Sequence, residues 1–323
     1  MKALATSLLW GVLALMTLAL LARNILAIPV PAPLDPNEGW NAAHALSLLA
    51  GHGLYPPPQS LMVNNYPPLS FYLVAGLTKL TGDAVIAGRL LSLFAFLAAC
   101  TAIALIVRQM ALSLHAQWAA VLFFAATLLV ASDYVGMDDP QLLGHAVQLF
   151  ALLFVLRNRL LAGGVVFAAS LFVKHNLLAL PLAVAFWLWR RDRSQALRFA
   201  LSGIGCVSLG LVVFRLIYGI DLWSVVSSSR LVSFANVESA VGHLWWAVLP
   251  LGALLLLKHP NRDFALTYAG AALLVGLAFS AGDGVDVNIF FDLCVACALA
   301  LGLVAETNSA RAALCALPLP LML

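Results

Sequence analysis

Long apolar runs alternate with short polar stretches along the chain, and most runs approach the length that crosses a bilayer. The first occupies residues 4–22. Others fall at about 84–107, 116–132, 140–156, 160–173, 177–190, 197–217, 241–257, 263–281 and 287–304. A helix needs about 20 such residues to cross a hydrocarbon core of about 30 Å. A last apolar run begins near residue 311 and reaches Leu323 without a polar exit, which reads as a half-span or an incomplete chain. No stretch shows the short alternating segments of a transmembrane β-barrel. The pattern therefore predicts an all-α polytopic membrane protein, one domain over 1–323, with about 10–11 transmembrane helices.

One region breaks the pattern. Between residues 24 and 83 the chain carries acids, asparagines, histidines and a cluster of prolines, far more chemistry than a connecting loop needs. Asp35 or Asn37 is placed to cap a short helix at 38–50, which Gly51 and Gly53 end. Pro56, Pro57 and Pro58 hold the next residues extended. Pro67 and Pro68 start a second short helix near 68–80. Trp40, Tyr66, Phe71 and Tyr72 suit a membrane interface, where amphipathic rings sit at headgroup level. A cleaved signal peptide is the other reading of residues 4–22, with Ala22 or Ala27 at the cleavage site.

Composition agrees with the pattern: 63% of residues are hydrophobic and 10% charged, against about 25% charged in soluble domains. Mean hydropathy is +1.00. The distribution of charge says more than the net +3. With the N-terminus in the cytoplasm, Lys2, Arg108, the arginines of 157–159 and 190–193, Arg198, Lys258, Arg262 and Arg311 all fall inside, as the positive-inside rule requires. The acids Asp35, Glu38, Asp83, Asp133, Asp138, Asp139, Asp221, Glu238, Asp283, Asp286 and Asp292 then fall at or near the outer face, which that rule does not require. Scattered basic anchors exclude a nucleic-acid surface. The five cysteines lie in apolar runs and read as buried thiols.

Candidate chemistry concentrates in that acidic set. Glu38 is a candidate base, with Asp35 as its substitute; a first-turn acid favoured by the helix dipole is the structural alternative for Glu38. Asp138 and Asp139 together at a span entrance suit ligand hydroxyls, a shared proton or a divalent cation, while Pro140 after them fits helix capping. Arg89 lies inside a span, where a charge needs a partner: a lipid phosphate or an acid such as Asp83. Lys174 marks an outer turn and is the second phosphate candidate, or a snorkelling cation. Asn41, Asn64, Asn65 and Tyr66 are candidate donors to a polar ligand; a turn before the di-proline is the structural alternative for Asn64, Asn65 and Tyr66. His145, Gln141 and Gln148 follow at helical spacing and read as contacts between helices.

The order of N-E-G-W-N after the first span, G-x-x-x-Y, N-N-Y-P-P-L-S-F-Y, A-G-R-L-L-S, Asp138-Asp139, the Lys174 turn and Asn288 resembles bacterial glycosyltransferases of the GT-C fold. The nearest group is the protein O-mannosyltransferase and aminoarabinose-transferase-like superfamily. The resemblance implies an inner-membrane enzyme that transfers a sugar from a polyprenyl-phosphate carrier to a lipid, glycan or protein acceptor on the outer side, with inversion if displacement is direct. Many members carry an Asp-Glu pair in the first outer loop, where this chain has Asn37-Glu38. A flippase of lipid-linked sugars and a non-catalytic homologue are the competing expectations.

Overall fold

The structure, a computed structural model, describes residues 2–56, 60, 63–110, 112–227 and 230–322. Pro57 and Pro58 lie outside them. Helix α1 (Lys2–Ala27) stops before Pro29 and Pro31, and the loop after it carries α2 (Pro36–Leu49) and α3 (Leu69–Thr81). There follow α4 (Ala84–Gln109), α5 (Leu114–Ala131), α6 (Gln141–Leu156), α7 (Leu160–Leu171), α8 (Ala179–Arg191) and α9 (Arg193–Tyr218). The last third holds α10 (Leu222–Val226), α11 (Phe234–Gly242), α12 (Trp245–Leu256), α13 (Arg262–Ser280), α14 (Phe291–Thr307) and α15 (Ser309–Ala316).

Helix starts follow side-chain capping. Asp83, Ser113 and Asp192 each accept a backbone N–H at the head of α4, α5 and α9, which satisfies donors that a helix start leaves open. Gly82 closes α3 with φ +77°, a conformation open to glycine at little cost. The bundle is built around α14, which packs on α5, α13, α12 and α15. Its run Cys294-Val295-Ala296-Cys297-Ala298 is buried, because small side chains let neighbouring helices approach closely. By contrast, α1 and α9 leave most of their apolar surface exposed at the periphery, where lipid would cover it.

Among the described residues six stretches are long and apolar enough to cross a membrane, by length and composition, or up to seven if the pair α11 and α12, bent by 72°, counts as one. This corrects the expected count of ten to eleven. The runs at 140–156, 160–173, 177–190 and 241–257 do form helices, but α6, α7, α8 and α12 have only 16, 12, 13 and 12 residues. At about 1.5 Å per residue they fall short of a hydrocarbon core of about 30 Å.

The two ends of the bundle differ in charge. Contacts such as Ser113 to Glu306 and Asn261 to Met110 lie at the end that carries the arginine-rich turns. At the opposite end the loop with α2 and α3 meets the turns 132–140 and 172–178 and the segment 281–290, through bonds such as Asn24 to Val135 and Leu69 to Phe172.

Candidate active site

The sequence Asp35-Pro36-Asn37-Glu38 sets the first part of the site. Asp35 caps α2, its Oδ1 accepting the Asn37 N–H at 2.7 Å, and Pro36 occupies the first helical position. Glu38, at the third helical position, reaches back to accept the Leu34 N–H at 2.8 Å, a variant of the capping box. Asn41 stands one turn on, on the same face.

Glu38 and Arg89 form a bidentate pair, Nε to Oε1 and Nη2 to Oε2, both at 2.7 Å. Each residue is 1% exposed. Arg89 Nη1 donates to the Ala27 and Val30 carbonyls and Nη2 to that of Ala32. All five guanidinium N–H groups are thus engaged. Arg89 is therefore partnered by Glu38 rather than by Asp83, which caps α4, and no donor remains for a lipid phosphate. Glu38 is equally saturated, because Oε1 also accepts the Asp138 N–H at 3.3 Å. Burial alone would raise its carboxyl; hydrogen bonds from Arg89 and Leu34, the Arg89 charge and the Asp138 N–H together hold it below the ordinary carboxylate value.

Asp138 is joined to α2 twice, since its carbonyl also accepts Asn41 Nδ2 at 2.6 Å. Its carboxylate is 3% exposed, and Oδ2 has no partner. A narrow cleft beside it is lined by Asn41, Ser70, Gly88 and Leu91, and the buried Asn41 Oδ1 and Ser70 Oγ are also unpartnered. Burial, then repulsion from Asp139 and Glu38, raises this carboxyl well above its usual value. Gly88 makes the close approach possible, because a Cβ there would stand 2.0 Å from Asp138 Cγ. Gly88→Ala is expected to displace Asp138 and cost ~1–3 kcal/mol by overpacking, measured as a fall in the thermal midpoint of the detergent-solubilised protein.

Asp139 turns the other way. Its Oδ1 accepts the Gln141 N–H at the head of α6 and also Lys174 Nζ at 2.9 Å, while Oδ2 takes the same ammonium at 3.2 Å. Lys174 is 2% exposed, so it does not snorkel, and its Nζ lies 4.8 Å from the centroid of the Tyr66 ring. Burial would lower the ammonium, but the Asp139 charge and hydrogen bonds outweigh it and hold Lys174 above its usual value. Asn64 builds the turn that places Tyr66, accepting the Tyr66 N–H at 2.9 Å and donating to the Leu54 carbonyl. Among the described residues Asn65 bonds to none of these charged groups.

Glu38, Asn41, Asp138, Asp139, Lys174 and Tyr66 thus form one continuous chain of contacts at one end of the bundle. Asp35 and Asn64 shape the backbone around it. Gln148 bonds across to Ser170 and the Leu177 carbonyl, as expected for a contact between helices.

His175, Tyr134 and Asp286, not singled out as site candidates, and Arg230, which the sequence offers as a third phosphate candidate after Arg89 and Lys174, complete the site. His175, beside Lys174, is pushed down to about 4 by burial and the charges of Lys174 and Arg230, so its imidazole is neutral at pH 7. Arg230 is exposed, donating through Nη1 to the Asp283 carbonyl at 2.7 Å. Tyr134 OH donates to Asp286 Oδ2 at 2.8 Å. Next to Asp286 a cavity of about 560 Å³ opens among the end of α5, α11, the start of α12 and residues 280–291. Among the described residues no group of three or more His, Cys, Asp and Glu side chains is arranged to hold a metal ion.

No protein-family model and no curated protein matches the chain. Two solved structures do: ArnT from Cupriavidus metallidurans bound to undecaprenyl phosphate (TM-score 0.66, 16% identity) and the same protein in the apo state (TM-score 0.57, 15% identity). They cover 92% and 95% of this chain, and the chain spans 60% of the length of each. At this identity the likeness shows the fold: the chain has the polytopic helical GT-C architecture that the sequence led us to expect.

Proposed function

We propose that the chain is a membrane glycosyltransferase that takes a sugar from a polyprenyl-phosphate carrier and passes it to an acceptor at the acid-rich end of the bundle. By the positive-inside rule that end faces away from the cytoplasm of an inner membrane, and the N-terminus faces into it. The observation that carries this reading is the convergence of Glu38, Asp138, Asp139 and Lys174 at one end of the bundle, with a narrow cleft at Asp138 and Asp139, in a fold shared with a protein solved with undecaprenyl phosphate. In this reading Lys174 stabilises the departing phosphate, with the exposed Arg230 and neutral His175 nearby as further donors. Glu38, which the sequence favours as base, is fully hydrogen-bonded. We give it the task of fixing Arg89 and the Asp138 backbone. Asp138 accepts the acceptor's proton as the new glycosidic bond forms, because its Oδ2 is unengaged and its raised pKa makes the ionised form a stronger base. No divalent cation is needed for this assignment, although the paired oxygens of Asp138 and Asp139 belong to the hard ligand class that would accept one.

The test is transfer from radiolabelled undecaprenyl-phosphate sugars by purified protein in liposomes. Wild type should consume donor, with a rate that rises with pH through a range above that of ordinary carboxyls, because Asp138 must lose its proton. Asp138→Asn should lower turnover by about a hundredfold or more while retaining donor binding. Full activity in Asp138→Asn would remove the base assignment. Movement of intact donor across the bilayer without transfer would replace the enzyme with a flippase.

A further inference from the structure

The cavity beside Asp286 has a lining that selects for one kind of chemistry. We propose that it binds an uncharged, hydroxyl-rich group, the ring of a neutral sugar, between Asp286 on one wall and α11 on another. This rests on the reading above for what carries the sugar, but not for the recognition itself.

Charge gives the first argument. Among the described residues that line the cavity there is no lysine or arginine, and the only carboxylate is Asp286. An anionic ligand would meet the Asp286 carboxylate, while Arg230, packed on Gly282 and Gly284 at the edge of the lining, already donates to the Asp283 carbonyl. Phosphate is thereby left to the Lys174 side, where the cations are.

Shape and polarity give the second. Helix α11 turns Asn236, Ser239 and His243 into the cavity at a spacing of three and four residues, which is one helix face. His243 Nδ1 donates to the Ser239 carbonyl at 2.7 Å, so Nε2 remains to accept a hydroxyl. The opposite face of α11 presents Phe234, 82% exposed, and Val241 outward. Trp245, Trp246 and Phe290 supply aromatic walls, and Trp246 is held rigid by being 3% exposed. The C–H face of a pyranose packs on such rings while its hydroxyl edge reaches polar groups. A volume of about 560 Å³ is ample for a hexose.

Asp286 gives the third. Its Oδ2 receives Tyr134 OH and its Oδ1 the Val287 N–H at 2.7 Å, so both oxygens are oriented while each keeps a lone pair for a ligand hydroxyl. Burial and the charges of Asp139 and Asp286 push the Tyr134 phenol up, so it stays a donor. Tyr134 also interacts electrostatically with Asp139 and Tyr66, which links the ionic cluster to Asp286 on the cavity wall.

Saturation-transfer NMR on the intact protein in nanodiscs tests this with methyl hexopyranosides, a methyl hexoside 6-phosphate and undecaprenyl phosphate as probes. At least one neutral hexoside should bind wild type, and the phosphorylated hexoside should bind at least tenfold more weakly. Asp286→Asn and the cavity-filling Ser239→Trp should each weaken the hexoside tenfold or more and leave undecaprenyl phosphate unaffected; Ser239 is exposed, so that variant keeps the fold. Equal binding of neutral and phosphorylated hexosides, or hexoside binding unchanged in both variants, overturns the proposal. Hexoside binding without undecaprenyl phosphate binding sinks the lipid-carrier reading and keeps the sugar site. Competition between hexoside and undecaprenyl-phosphate hexose marks the occupant as the donor's sugar, and simultaneous binding marks it as the acceptor's.

Discussion

Arg89→Ala is expected to remove about 3–5 kcal/mol of stability, because it strands the Glu38 carboxylate in a buried site. The loss extends beyond the ion pair. Arg89 also donates to the carbonyls of Ala27, Val30 and Ala32, and the prolines at 29, 31 and 33 offer no N–H with which to replace it. Thermal unfolding in detergent should show the drop. Arg89→Lys should recover only part of it, since an ammonium cannot match a bidentate carboxylate and three carbonyls at once. The double variant Arg89→Leu with Glu38→Leu should lose less than the sum of the single changes, because it leaves no buried charge unpaired. Equal stability of Arg89→Ala and wild type would refute the pair's role.

Under the proposed mechanism Lys174→Met should have a large effect on activity, a fall of about a hundredfold or more in transfer, because it removes the buried cation to which that mechanism gives the departing phosphate. It also leaves Asp139 with an uncompensated charge, so reduced activity alone would not separate chemistry from folding. Pairing it with Asp139→Asn restores neutrality, and the double variant should regain most of the lost thermal stability while transfer stays abolished. Recovery of transfer together with stability would show that Lys174 serves only to balance Asp139.

The spans were legible because hydropathy in runs of this length leaves few alternatives. The start of α2 was legible too, since Asp35, Pro36 and Glu38 spell a cap. What the sequence withheld was pairing. Glu38 and Arg89 are 51 residues apart, and Asp139 and Lys174 are 35 apart; nothing local links either couple. The sequence thus offered Arg89 and Glu38 as separate reagents, whereas the fold joins them. Asp138 and Asp139 looked equivalent as neighbours, but Asp139 is tied to Lys174 and Asp138 packs on Gly88. Helices α10 and α11, of 5 and 9 residues, were invisible against an apolar background. The Ser233 cap ahead of α11 was their main signal. Tyr134 and Asp286 lay in turns already marked as polar, yet only their 2.8 Å contact shows that they meet. Span number was overestimated in part because α6 and α7 are apolar enough but too short.

The guanidinium clasp also sets an order for biogenesis. Residues 27–38 leave the ribosome well before Arg89, so the proline-rich segment waits without its anchor until α4 has been made and inserted. Asp139 likewise waits for Lys174. The acid-rich end can therefore close only from the C-terminal side backwards, each newly inserted helix locking a segment synthesised earlier.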